Sequence, residues 1–275
     1  MAVQSSIVDS RLSQLQALMR EAGSALVTFS GGVDSALVAR VAHEVLGERA
    51  VALTADSPTF PPEERDQAVA YCDSIGMQHK VVDAHELLRD GYRANEGNRC
   101  YFCKTELFEL STLWADRLGM KWVMDGTITD DLGEHRPGLQ AAEEHRVRHP
   151  LVEVGMNKSE VRELARSLDI PLWNKPAFAC LGSRFPVGTE VTQERVLKIS
   201  RIESLLRVYG FKQFRVRYHE MENKPMVRIE VAPTEIPFLV KEGVRDALVA
   251  ACEEEGFAWA TVDLAGYVRG GLSGV

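Results

Sequence analysis

One short string constrains this chain more than any other: Ser30-Gly31-Gly32-Val33-Asp34-Ser35. It sits between an apolar run, Ala25-Leu26-Val27-Thr28-Phe29, and a helical pattern from Ser35 to Leu46. A buried strand entering a helix through two glycines brings backbone N–H groups and the positive end of a helix dipole to one point. That arrangement receives an anion, and phosphate above all. Ser30 and Ser35 add hydroxyl donors, and Asp34 adds a carboxylate that can share Mg²⁺ with phosphate oxygens. Parallel sheets bind their ligands at the carboxyl ends of their strands, and the loop follows the first strand.

The rest of the first part agrees. Ala50-Val51-Ala52-Leu53-Thr54 reads as a second strand, and Pro62 opens a helix with Glu63 and Glu64 in its first turn. Gln78 to Val82 reads as a third strand, Lys104 to Leu118 as a helix and Lys121 to Asp125 as a fourth strand. Strands alternating with helices predict an α/β unit with helices on both faces of a parallel sheet, over residues 1–187. From residue 188 the order changes. A helix over Glu190–Tyr209, strands over Phe211–His219 and Met226–Val231, a helix over Thr234–Glu255 and a strand over Phe257–Asp263 predict a smaller C-terminal α+β domain, 188–275. The tail from Gly266 reads as loosely held.

Composition narrows the partners. Against 40 Asp+Glu stand 32 Lys+Arg, a net charge of −8, which argues against a general nucleic-acid binder. Eight Lys+Arg against four Glu between Lys198 and Glu230 make one local basic stretch. No run approaches the roughly 18 apolar residues of a membrane helix. The opening Met-Ala-Val-Gln-Ser-Ser carries no secretory signal, so the cytoplasm is the expected location.

Five cysteines are present. Cys72 and Cys252 fall on or beside apolar helix faces and read as small hydrophobes. Cys100 and Cys103, in Arg99-Cys100-Tyr101-Phe102-Cys103-Lys104, lie three apart at the head of a helix, where thiolates are favoured. Cys180 stands in Ala179-Cys180-Leu181-Gly182-Ser183-Arg184. Spacing alone leaves an iron–sulfur cluster, a zinc site supplemented by His135, His145 or His149, and redox chemistry all open. In Phe214-Arg215-Val216-Arg217, the period of two puts Arg215 and Arg217 on one strand face, a clamp for phosphate or carboxylate, with Arg184 and Glu203 as further candidates.

The loop string resembles the PP-loop of the ATP pyrophosphatases, which split ATP between its α and β phosphates. No Gly-Lys-Ser/Thr of the commoner phosphate loop occurs. The resemblance implies ATP contacts at Ser30, Gly31, Gly32, Asp34 and Ser35, at Asp56 after the second strand, at Gly126 and Thr127 with Asp130 and Asp131 behind, and at Lys158 ahead of Val161-Arg162. Taken with the Arg-Cys-Tyr-x-Cys-Lys and Cys-Leu-x-Ser-Arg strings and the small C-terminal domain, the chain resembles the LarE-type sulfur transferases. That resemblance implies an ATP- and Mg²⁺-dependent enzyme. It would adenylate a carboxylate of pyridinium-3,5-biscarboxylic acid mononucleotide and convert it to a thiocarboxylate in nickel-pincer nucleotide synthesis. One version of the family sacrifices the sulfur of a single cysteine, at the position of Cys180. The other holds a 4Fe–4S cluster on three cysteines, and Cys100, Cys103 and Cys180 match it. A homo-oligomer served by a separate sulfide donor is expected. The competing readings are a cluster-dependent tRNA thiolase, which would need a broad basic surface, and a non-catalytic, zinc-stapled nucleotide-binding protein.

Overall fold

The computed structural model describes residues 2–132, 137–176 and 179–268, with side chains from residue 9 onward. In chain order the elements are α1 (Ala2–Ala22), β1 (Ala25–Thr28), α2 (Val33–Leu46), β2 (Ala50–Asp56), α3 (Pro62–Ile75), β3 (Gln78–Asp83), α4 (Asp90–Ala94), α5 (Arg99–Leu118), β4 (Trp122–Met124), α6 (Pro137–Glu144), α7 (Pro150–Glu153), α8 (Lys158–Ser167), α9 (Gln193–Val208), β5 (Phe214–His219), β6 (Met226–Val231), α10 (Ile236–Leu239), α11 (Glu242–Glu254) and β7 (Trp259–Val262). The chain divides into two compact units, one of residues 1–86 and 98–178, the other of 87–97 and 179–275. The division thus falls at Ala179 rather than at Gly188, and an excursion from the first half joins the second unit. Hydrogen bonds explain the excursion: Asn95 Nδ2 donates to the carbonyls of Pro186 and Thr189, and the Val191 N–H to Arg93.

The first unit is α/β. Its sheet runs β3-β2-β1-β4, every pair parallel, with Ala25 opposite Ala50 and Trp122. Residues of alternate parity face opposite sides. Ala25, Val27, Ala50 and Ala52 join a core with α1, α2 and α8, whereas Leu26, Leu53, Val82 and Val123 join a second core with Phe108 of α5 and Ala141 and Ala142 of α6. Small residues on the first face let α2, buried at Ala36, Val38 and Ala39, lie close on the sheet. Apolar β-rich strands covered on both faces are what a parallel sheet demands.

The second unit carries a three-stranded sheet, β5-β6-β7, with β5 and β6 antiparallel and β6 and β7 parallel. Helix α9 buries Val196, Ile199, Ile202 and Leu206, and α11 buries Val244, Leu248 and Cys252.

Several elements differ from the sequence reading. Helix α1 was not expected, although Leu15, Leu18, Met19 and Ala22 are buried at helical spacing. Helix α5 starts at Arg99, not Lys104, because no Gly or Pro interrupts that run, so Cys100 and Cys103 lie inside its first turn or two. The single helix expected over Thr234–Glu255 is broken, because Lys241 is extended between α10 and α11. Strand β4 stops at Met124, and the Asp125 N–H donates instead to the Arg148 carbonyl. The start of the tail is held: the Tyr267 N–H donates to the Val231 carbonyl, and a Cβ on Gly266 would lie 2.7 Å from that same oxygen. His135 and the remainder of the tail, 269–275, lie outside the described residues. Among the described residues no helix is long and apolar enough to cross a membrane.

Candidate functional site

The loop between β1 and α2 is built as its sequence demands. Gly31 takes φ +69°, a conformation that disfavours side chains, and Gly32 caps α2 with extended backbone. The Ala36 N–H closes the first helical bond onto the Gly32 carbonyl at 2.9 Å, so the N–H groups of Val33, Asp34 and Ser35 stand outside the helix ladder. The two serines brace the turn. Their hydroxyls lie 3.2 Å apart, Ser35 Oγ donates to Gly32 O at 3.1 Å, and the Ser30 N–H donates to Ser35 Oγ.

Two lysines from distant parts of the sequence reach this loop. Lys158 follows Asn157, whose Oδ1 accepts from the Glu160 N–H while Glu160 Oε2 accepts from the Asn157 N–H. This reciprocal cap fixes the start of α8 and so aims Lys158. Its Nζ lies 2.8 and 2.6 Å from the two Asp34 oxygens. Burial raises the Asp34 carboxyl above its ordinary value, Lys158 opposes that shift, and the nearby Asp131 charge adds to it. Lys175, extended ahead of Pro176, donates to the Gly31 carbonyl at 3.0 Å and pairs with Glu64 of α3 at 2.7 Å.

The turn after β4 touches the same loop. A Cβ on Gly126 would lie 2.6 Å from Ser35 N and 2.9 Å from Asp34 C, so only glycine fits there. Asp125 is 3% exposed and accepts from the Thr127 N–H and hydroxyl and from His149 Nδ1, the last at 2.6 Å. His149 arrives because Arg148 bridges to Met124 beside β4. Asp130 accepts long contacts, all at 3.4 Å, from the Lys158 N–H and from the Thr129 hydroxyl. Asp56, at the end of β2, pairs with Arg65 at 3.1 Å. Behind the loop, Thr54 Oγ1 donates to the Phe29 carbonyl at 2.6 Å. That uses its one proton, so His79 Nε2, 2.8 Å away, is assigned as the donor to Thr54.

The cysteines sort by burial. Cys72 and Cys252 are core residues whose thiols burial pushes up to about 12. Cys100 is exposed and Cys103 half-buried on α5, beside a cavity of about 360 Å³ lined by Asn98, Tyr101, Phe102, Pro137 and Gln140. Cys180, also half-buried, belongs to the second unit. Among the described residues no group of three or more His, Cys, Asp or Glu side chains is gathered as metal ligands would be.

In the second unit Arg184 is 2% exposed and Glu203 fully buried. They form a two-pronged pair at 2.8 and 2.9 Å, and Arg184 Nη1 also donates to the Ala179 and Cys180 carbonyls. The pair therefore fixes the backbone that carries Cys180. Arg217 is likewise occupied, with Glu230 at 3.0 Å on both prongs and with the Ser183 carbonyl. Arg215 differs. It donates to its neighbour's carbonyl, lies over the Tyr267 ring and has no carboxylate partner among the described residues. Burial and the Arg184 charge lower its guanidinium from the ordinary value.

The sequence reading thus named the loop, Asp34 and Lys158, which the structure brings together. It missed Lys175 as a loop residue and His149 as the partner of Asp125. Both precede proline, but only Lys175 takes the extended backbone a following proline favours, and neither role had a signal in residue type or spacing.

Comparison with known proteins adds three findings. The family described as NAD synthase matches residues 7–101, which include the phosphate loop. An uncharacterised protein of Synechocystis sp. is 43% identical over 269 residues, 98% of this chain and 99% of its own length. The pyridinium-3,5-bisthiocarboxylic acid mononucleotide synthase of Lactiplantibacillus plantarum is 33% identical over 261 residues, 94% of this chain and 92% of its own.

Proposed function

The chain belongs to the LarE-type family of PP-loop, ATP-using enzymes, and from that membership and the loop geometry we propose that it converts a nucleotide-borne pyridinium carboxylate into a thiocarboxylate at the expense of ATP. The observation that carries the reading is the phosphate loop with Lys158 on Asp34 and Gly126 pressed against Ser35.

The proposed sequence begins with MgATP on the loop. The N–H groups at the start of α2 and Lys158 take the charge of the leaving pyrophosphate. Asp34, which holds Lys158 here, is the carboxylate placed to meet the magnesium that enters with ATP. A carboxylate oxygen of the substrate attacks the α-phosphorus, the bond to the β-phosphate bridging oxygen breaks, and pyrophosphate leaves. The acyl adenylate is then open to a sulfur nucleophile, which takes the acyl carbon while AMP departs with the former carboxylate oxygen. Arg215 is the cation available for the substrate's phosphate or second carboxylate, since Arg217 and Arg184 are already paired.

The donor set suits an iron–sulfur group in kind: Cys100, Cys103 and Cys180 are thiols outside the core, unlike Cys72 and Cys252. These three would hold a 4Fe–4S cluster, which when bound would supply sulfide to the activated carboxyl. Incubation of anaerobically purified protein with ATP and pyridinium-3,5-biscarboxylic acid mononucleotide tests the reading. AMP, pyrophosphate and thiocarboxylate are expected, and ADP with phosphate would contradict it. Iron and acid-labile sulfide in the same protein support the cluster. Loss of one sulfur from Cys180 alone would replace it with the sacrificial route.

A further inference from the structure

We propose that Lys175 is a second phosphate-binding cation of the loop, held by Glu64 until the polyphosphate of ATP arrives. The inference rests on the ATP reading above and deepens it. Lys175 comes from a stretch to which no chemistry was assigned, yet its ammonium ends on the phosphate loop itself. Its backbone is pinned at both sides: its N–H donates to the Leu172 carbonyl at 3.0 Å, and its own carbonyl accepts from Arg162 Nη2 at 3.3 Å. Its side chain is only 12% exposed, and Nζ makes two contacts, to the Gly31 carbonyl and to Glu64 Oε2. Only the Gly31 contact has hydrogen-bond geometry, the Glu64 contact being an ion pair, so an ammonium with three donors keeps N–H groups to offer beside Gly31.

The geometry repeats that of Lys158. Each lysine is clasped by one carboxylate, Asp34 or Glu64, and each meets the loop, Lys158 at the first turn of α2 and Lys175 at Gly31. Nζ of Lys175 would stand 3.7 Å from a Cβ on Gly31, so the charge lies over the glycine whose bare backbone admits the ligand. Two ammonium groups on one loop match the several charges of a triphosphate better than the single phosphate of AMP. A strut between α3 and the loop would need the same contacts but would not distinguish the two nucleotides.

Calorimetric titration of the full chain with MgATP and, separately, with AMP decides between them, alongside the melting temperature. Lys175→Met is expected to weaken ATP about tenfold or more, the loss of one charge-assisted contact, while AMP changes less than about twofold. Lys175→Arg should recover part of the ATP affinity. Glu64→Gln, which frees the ammonium, should bind ATP as well as the unaltered protein or more tightly. Equal losses of ATP and AMP in Lys175→Met and Glu64→Gln, with a lowered melting temperature in both, would make the lysine a strut and overturn the inference. So would unchanged ATP affinity in Lys175→Met. Failure of the unaltered chain to bind either nucleotide would instead overturn the phosphate-loop reading, and this inference with it.

Discussion

Asp125 and His149 each hold the other's charge in place. Burial alone would raise the Asp125 carboxyl, but His149, Lys104 and the Thr127 N–H bring it below its ordinary 3.8. Burial alone would lower His149, but Asp125 brings it above its ordinary 6.5 despite Lys104. The stability from the depressed carboxyl is present above 3.8 and lost as pH falls through its folded value. The stability from the raised imidazole is present below 6.5 and lost as pH rises through its folded value. His149→Gln should therefore lower the melting temperature most between those two ordinary values. The difference from the unaltered protein should shrink as pH rises beyond them, and a difference flat from about pH 5 to about pH 9 would contradict the pairing. Arg215 carries a separate expectation. Arg215→Ala should weaken the pyridinium substrate by about 1.5–3 kcal/mol, the value of a charged hydrogen bond, and leave ATP unchanged. Equal loss of both ligands in binding titrations would remove its proposed role.

At the scale of elements, α8 shows how a cap serves a site. Asn157→Ala removes the acceptor for the Glu160 N–H and should cost about 1 kcal/mol of stability. Because Lys158 is the first residue of that helix, the same change should also raise the KM for ATP, whereas a purely structural cap would leave KM alone once the protein is folded. Steady-state kinetics below the melting transition separates the two. Such elements were legible to different degrees. The loop could be read because the full string Ser30–Ser35 follows the first apolar strand, whereas two glycines with a serine or aspartate cap would alone make only a tight strand-to-helix turn. Lys158 could be read only through the family resemblance, because a polar cap ahead of an amphipathic helix by itself predicts no more than an exposed lysine. Lys175 and His149 could not, because their roles depend on Glu64 and Asp125, 111 and 24 residues away along the chain. The Arg184–Glu203 pair was read as a candidate ligand because sequence does not show burial, and burial is what gives that pair its part in fixing Cys180.

For the molecule as a whole, the parallel sheet follows from strand composition, and its two cores follow from residue parity. The second unit is less legible because its boundary depends on the side chain of Asn95, which draws 87–97 across. What joins these parts into one chemistry is the claim that a substrate carboxylate is activated by adenylation. Isotope transfer tests it most directly. With substrate whose carboxylate oxygens are ¹⁸O and with unlabelled ATP, mass spectrometry of the nucleotide product should find AMP carrying one ¹⁸O, formed in step with thiocarboxylate. Unlabelled AMP, or a label found in phosphate, would show that the carboxylate never attacked the α-phosphorus and would contradict the account.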